Sequence, residues 1–201
     1  MFLTRLKLDI RGGAVRRDLA SAYEMHRTLS RAFACNDDSR PLRFLWRVER
    51  VDTLRGEAKV LIQSETEGQW QKLPEDYVSE VCSKLIDLQS LLRVDRRYRF
   101  RLLANPTVCR DGKRYGVTAE EEQLAWLQRQ LQRAGCMTQG VMRTSSEKWS
   151  VRKKGHVITL QAVGFEGVLS IDNPSLLQEI VHRGIGHAKS LGLGLLSVAP
   201  L

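Results

Sequence analysis

The strongest constraint on this chain is a change of hydrophobic period that occurs in the same order twice. From Phe2 to Ile10 the residues alternate, with Phe2, Thr4, Leu6, Leu8 and Ile10 on one side and Leu3, Arg5, Lys7 and Asp9 on the other. A period of two makes this a strand with one mostly buried face. After Gly12-Gly13 the apolar spacing widens to three and four, at Val15, Leu19, Ala22, Leu29 and Phe33, which predicts an amphipathic helix running to about Ala34. A break at Asn36–Pro41 follows, then two β-rich runs, Phe44–Val51 and Ala58–Ser64, joined around Arg55-Gly56-Glu57 as a hairpin would be. Pro74–Val81 reads as a short helix and Lys84–Leu92 as a poorly alternating strand. In the second half Tyr98–Leu103 is a strand, and Thr118–Ala134 is a helix opened by Thr118 with Glu121 three residues on, the pattern of a capping box. Val141–Trp149 with His156–Ile171 reads as a long hairpin, Pro174–Arg183 as a helix and Leu195–Ala199 as a short central strand. Two copies of β-α-β-β-α-β predict an α+β fold of two tandem ferredoxin-like (RRM-like) domains, residues 1–92 and 93–201, with Arg93–Arg97 as the join.

Composition is compatible with that. The 201 residues are 42% hydrophobic and 27% charged, too apolar for a disordered tail and enough for one large domain or two small ones. The net charge of +9 points toward a polyanionic partner, because Lys and Arg gain most where they displace counterions condensed on phosphates. No apolar run approaches the roughly 20 residues that span a bilayer, and Met1–Ile10 mixes charge with apolar residues where a secretory leader needs an apolar stretch. The expectation is a cytoplasmic protein with no membrane partner. Cys35, Cys82, Cys109 and Cys136 are far apart, without Cys-x-x-Cys or a Cys/His cluster. Neither structural zinc nor a disulfide framework is expected, and no cofactor is implied.

Three segments could carry chemistry. Gly184–Gly194 holds four glycines in eleven residues, with His187 and Lys189 among them, and leads straight into the last apolar run. Glycine permits positive φ and close backbone approach, so Gly184 and Gly186 could turn amide hydrogens toward a phosphate. A tight helix-to-strand turn is the plainer reading, though one or two glycines would serve it. The segment is neither Gly-x-Gly-x-x-Gly after a strand nor a Gly-Lys-Ser/Thr phosphate loop, so the usual nucleotide sites are excluded.

The second segment is the first helix. His26 suits acid or base work near neutrality, and Tyr23, three residues earlier, shares its helical face. Arg27 and Arg31 continue as a basic stripe beside them. At the spacing Val15, Leu19, Ala22, His26, Leu29 the histidine also lies on the apolar stripe, so the spacing alone favours a core histidine. The third segment is the long hairpin, where Arg143, Lys148, Arg152, Lys153 and Lys154 set five cations against one acid, Glu147, beside Trp149. It is suited to gripping a nucleic-acid stem, and it could equally be solvated. Arg129 and Arg133, one turn apart on one helix, are secondary candidates.

With these residues on the page a resemblance becomes specific. The ending Gly-Leu-Gly-Leu-Leu-Ser-Val-Ala-Pro-Leu after Gly184 resembles the C-terminal glycine-rich loop of the CRISPR-associated repeat-processing superfamily, and most closely its type I-E endoribonucleases, the CasE family. Phe100–Thr107, Ala125–Arg129, Phe165–Leu169 and Asp18–His26 agree in order, so the resemblance spans nearly the whole chain. It implies two ferredoxin-like domains and metal-independent cleavage of a CRISPR precursor RNA at the base of its repeat stem-loop, leaving a 2',3'-cyclic phosphate. It further implies a product that stays bound, a place among the subunits of Cascade, and a monomer when free. The family's catalytic histidine and tyrosine fall on His26 and Tyr23. Two rivals stand beside this reading: a non-catalytic RNA-binding scaffold of the same superfamily, and a basic protein-interaction module that meets no RNA.

Overall fold

The computed structural model describes residues 1–35, 40–153 and 156–201. Its residues group into two compact units. One comprises Met1–Ile86 with Val151–His156 and Ser190–Gly192, the other Asp87–Ser150 with Val157–Lys189 and Leu193–Leu201.

In the first unit β1 (Phe2–Asp9) leads into α1 (Gly13–Ala20) and α2 (Ala22–Ser30), followed by β2 (Phe44–Asp52), β3 (Glu57–Ser64) and β4 (Val78–Leu85). The sheet is antiparallel in the order β2-β3-β1-β4, with Leu6 opposite Val60 on one side and Val81 on the other. Thr4, Leu6 and Leu8 are buried, as alternation requires, and Leu6 and Leu8 pack with Val15, Met25, Leu29, Phe33, Phe44, Ile62 and Tyr77. Each such large apolar side chain removed from water contributes roughly 1.5–3 kcal/mol.

Three expectations fail in this unit. The first helix is not continuous: Ser21 is extended (φ −142°, ψ 105°), and its hydroxyl accepts the Glu24 amide at 3.4 Å to start a new helix. The second helix closes in a 3-10 turn, Arg31–Phe33. Pro74–Val81 is not helical. Pro74 opens a tight turn closed by the Tyr77 amide, Asp76 takes φ +57°, and the chain enters β4, whose Val81 and Ser83 pair with Leu6 and Thr4. The expected strand Lys84–Leu92 accordingly ends at Leu85, and Leu88–Leu91 is one helical turn, α3, capped by Asp87. A 3-10 turn, Trp70–Lys72, lies between β3 and β4, just ahead of the stretch the repeat assigned to a second helix.

The second unit has the full order. β5 (Arg97–Ala104) is followed by a small hairpin, β6 (Thr107–Arg110) and β7 (Lys113–Gly116), then α4 (Glu120–Arg133), β8 (Cys136–Lys153), β9 (His156–Ile171), α5 (Pro174–Arg183) and β10 (Leu196–Pro200). The sheet order β10-β5-β9-β8 is again the ferredoxin-like arrangement. The α5 helix starts where expected because the Asn173 side chain accepts the Leu176 amide and Pro174 is pre-set for the first turn. The capping box of α4 is not formed: its N-cap is Ala119, without a side-chain bond, and Glu120, Glu121 and Glu122 supply negative charge to the first turn instead. No helix among the described residues is long and apolar enough to cross a membrane.

Candidate functional site

The α2 helix carries the first candidate group. Tyr23 and His26 lie one turn apart and are both half-buried. The His26 ring stacks on Phe44 (centroids 5.2 Å, 25°), and Phe44 stacks in turn on Phe33 at 4.5 Å. Nδ1 of His26 is closed off from solvent. The histidine therefore belongs to the edge of the core and is held in one orientation by aromatic contact, while the residue as a whole keeps partial exposure. Arg27 is exposed, lies 6.0 Å from the centre of the Tyr23 ring, and is paired with Glu24 at 2.9 Å. Arg31 is exposed at the start of the 3-10 turn. Arg27 thus sits beside Tyr23, already bound to an acid, while Arg31 lies beyond the helix in the 3-10 turn.

Beneath α2 lies a group that pattern reading did not find. Asp18, on the buried side of α1, is 1% exposed. It receives a hydrogen bond from the Tyr77 hydroxyl at 2.7 Å and one from Arg17 Nε at 2.8 Å. Burial, then the hydrogen bond to Asp18, pushes the Tyr77 phenol far above its ordinary value, so it stays a donor. The signal in the sequence is an acid on an apolar stripe, Val15 to Asp18 to Ala22; its partner 59 residues away carries none.

The second unit holds a groove of about 580 Å³ between α4, α5 and the glycine-rich loop. Trp126, Arg133, Glu179, Arg183, Gly184, Gly186, His187 and Lys189 line it. The structure thereby gathers five of the sequence-predicted residues, Arg133, Gly184, Gly186, His187 and Lys189, in one place. Arg129 is exposed on α4 and is not part of this lining. Burial, then the neighbouring Arg114 and Lys189, holds the His187 imidazole below its usual value. Arg114 comes from the β6–β7 hairpin, which pattern reading missed although Asp111-Gly112 is the dipeptide of a two-residue turn. Both residues take positive φ, 49° and 72°, as that turn demands.

The four glycines have a local explanation. Gly184, Gly186, Gly192 and Gly194 all have positive φ, between 69° and 92°. A Cβ on Gly186 would lie 3.3 Å from Trp126, and one on Gly194 only 2.5 Å from the Ile185 carbonyl oxygen. Their number follows from backbone geometry and packing, so it is not in itself a sign of a phosphate site.

The long hairpin is less free than expected. Arg143 is half-buried, in an ion pair with Glu120 at 2.5 Å and a hydrogen bond to Gln123 at 3.3 Å, so it fastens the hairpin to α4. Lys148 and Arg152 are exposed, and the Trp149 indole donates to Glu147 at 3.2 Å. Lys153 ends β8 with its side chain outside the description, and Lys154 lies outside the described residues. Among the described residues, no three His, Cys, Asp or Glu side chains gather as metal ligands.

Comparison with known proteins places this geometry. A model of the family described as "CRISPR associated protein" matches residues 1–200. The chain is 39% identical to the CRISPR-associated endoribonuclease Cse3 of Thermus thermophilus over the full length of both, and 34% identical to the CRISPR system Cascade subunit CasE of Escherichia coli K12, over 92% of this chain and 94% of that one. It superposes on a structure of CRISPR endoribonuclease Cse3 bound to a 19 nt RNA with a TM-score of 0.89, at 39% identity and complete coverage of both chains.

Proposed function

This chain belongs to the CRISPR associated protein family, and from that premise we propose that it is an endoribonuclease cleaving CRISPR precursor RNA at the base of the repeat stem-loop, without a metal ion. The observation that carries the reading is the pairing of Tyr23 with His26 on one half-exposed face of α2, in a chain similar along its length to a named endoribonuclease. The RNA 2'-hydroxyl, on losing its proton to a base, attacks the adjacent phosphorus. The bond to the 5'-oxygen breaks as an acid protonates that oxygen, leaving a 2',3'-cyclic phosphate and a 5'-hydroxyl. Tyr23 and His26 supply the acid and the base, each worth about 10²–10⁴ in rate. The stack on Phe44 fixes the imidazole before substrate arrives. Arg27 and Arg31 offset the charge that builds on the phosphorane, Arg27 by exchanging Glu24 for phosphate.

RNA is held through Lys148, Arg152, Lys153 and Lys154 of the hairpin, through Arg129 and Arg133 of α4, and through the groove at Gly184, Gly186, His187 and Lys189. Arg143, its charge matched by Glu120, contributes by holding the hairpin. Double-stranded RNA is read mostly through phosphates and shape, which suits this set of cations. The 1–92 domain carries the catalytic helix and the 93–201 domain the hairpin and groove. The free protein is a monomer; with its cleaved RNA it joins Cascade as a subunit, and it works in the cytoplasm, where its transcript is made. The test is cleavage of the repeat RNA in EDTA by wild type, His26→Ala and Tyr23→Phe. Wild type should cut, and both variants should lose at least about 10²-fold in single-turnover rate with RNA affinity retained. Uncut RNA in EDTA would overturn metal independence, and normal cutting by His26→Ala would overturn the catalytic assignment.

A further inference from the structure

The break at Ser21 raises a mechanical problem. Because α1 and α2 are separated by an extended residue, backbone continuity does not fix how α2 lies, yet this helix bears both Tyr23 and His26. The structure spans the break with side chains. Arg17, near the end of α1, donates through Nε to Asp18 at 2.8 Å and through a terminal nitrogen to the Thr28 hydroxyl at 3.2 Å, so one guanidinium joins the two helices. Thr28 lies two residues after His26 and is 2% exposed. From the other side Tyr77, 1% exposed, donates its hydroxyl hydrogen to Asp18 Oδ2 at 2.7 Å, and its oxygen sits 3.2 Å from Sδ of Met25, the residue before His26. Residues on each side of His26 in α2 are therefore tied to a single buried carboxylate on α1.

A buried carboxylate is costly unless every partner is in place, so nearly any tilt of α2 that breaks one of these bonds is opposed. We infer that Asp18, Arg17 and Tyr77 form a brace that sets the pose of α2, making Asp18 and Tyr77 positioning residues for cleavage. None of the three touches the reacting atoms; they act through Tyr23 and His26, and in that respect the inference rests on the function proposed above. The fold alone would be served by an apolar pair at these two positions. An acid joined to a phenol from a different segment adds direction, which a hydrophobic contact does not.

The test uses Tyr77→Phe, which keeps the ring and its packing and leaves Asp18 paired with Arg17, together with Asp18→Asn. Hydrogen exchange of the α2 amides in the RNA-free protein reads the brace without reference to activity. Exchange at Met25, Thr28 and Leu29 should quicken about tenfold relative to the β1 and β3 amides, the loss of one hydrogen bond of ordinary strength. Single-turnover cleavage, measured well below the melting temperature, should fall between about tenfold and a hundredfold, since small displacements of reacting groups cost that much. RNA affinity should stay within about twofold of wild type. Unchanged α2 exchange in Tyr77→Phe overturns the brace whatever the activity. Quickened α2 exchange with an unaltered rate overturns the positioning role. Normal cutting by His26→Ala would count against the catalytic reading alone, because the exchange measurement still decides whether α2 is braced.

Discussion

Gly194→Ala separates two explanations of the glycine-rich loop. The residue has φ +92°, which costs an L-residue about 1–2 kcal/mol. The added Cβ would also lie 2.5 Å from the Ile185 carbonyl oxygen, a backbone atom that cannot turn aside as a flexible side chain would. Relief requires moving a segment in which the Ile185 amide donates to Gly194 at 2.8 Å and the Gly194 amide to Leu103 at 2.7 Å. Weakening those two bonds adds about 1–3 kcal/mol, for a total of about 2–5 kcal/mol. Gly112→Ala is the matched control. It has φ +72° in the same unit, with nothing within 4 Å of the new methyl, so only the conformational cost of about 1–2 kcal/mol applies. Urea unfolding at constant m-value reads both, and the midpoint of Gly194→Ala should fall clearly further. Equal midpoints would refute the crowding argument. A wild-type midpoint combined with lost RNA affinity would return the glycine to the role of phosphate platform.

Three further outcomes can be checked directly. RNA affinity should fall linearly in log–log form with salt, and Lys189→Ala or Arg133→Ala should each flatten the slope by about one unit if each meets a phosphate; a flat wild-type response would favour a protein partner. His187 should titrate below 6.5 by NMR, and Arg114→Ala or Lys189→Ala should move it back up. Because its folded value is depressed, its contribution to stability is complete above the unfolded value and is lost as pH falls through the folded one; a titration unchanged in both variants would remove the electrostatic part of the account. Burial pushes the Cys136 thiol up to about 12, so iodoacetamide at neutral pH should modify the exposed Cys35 and Cys109 long before it; early labelling of Cys136 would show the second core to be open.

The elements most legible in the sequence are those whose local chemistry agrees with their burial. β1 alternates because one face is buried, and α5 is bounded by Asn173-Pro174 and Gly184. The break at Ser21 was invisible because the apolar stripe continues across it, and a period of 3.6 does not register a single extended residue. The first half of β4 reads as the end of a helix because it is an edge strand with one neighbour, so its exposure pattern is blurred and Val78 and Val81 fall at a helical spacing. At the candidate site the Tyr23/His26 pair and the groove cations could be named from spacing and charge. The Asp18–Tyr77 bond could not, since its partners are far apart in the chain. The glycine count was plain, whereas its cause lies in Trp126 and the Ile185 carbonyl, neighbours that only folding supplies.

The position of β10 bears on the order in which the molecule is built. All four strands of the first sheet lie within residues 2–85, so that sheet can close while the ribosome is still making the second half. β5, by contrast, waits for β10: Ser197 donates to the Arg101 carbonyl across a separation of 96 residues. Contacts that distant close late, and the flexible glycines just before β10 add chain entropy that must be lost first. A nascent chain therefore exposes the helix of Tyr23 and His26 in a closed sheet before it possesses the groove of the second unit.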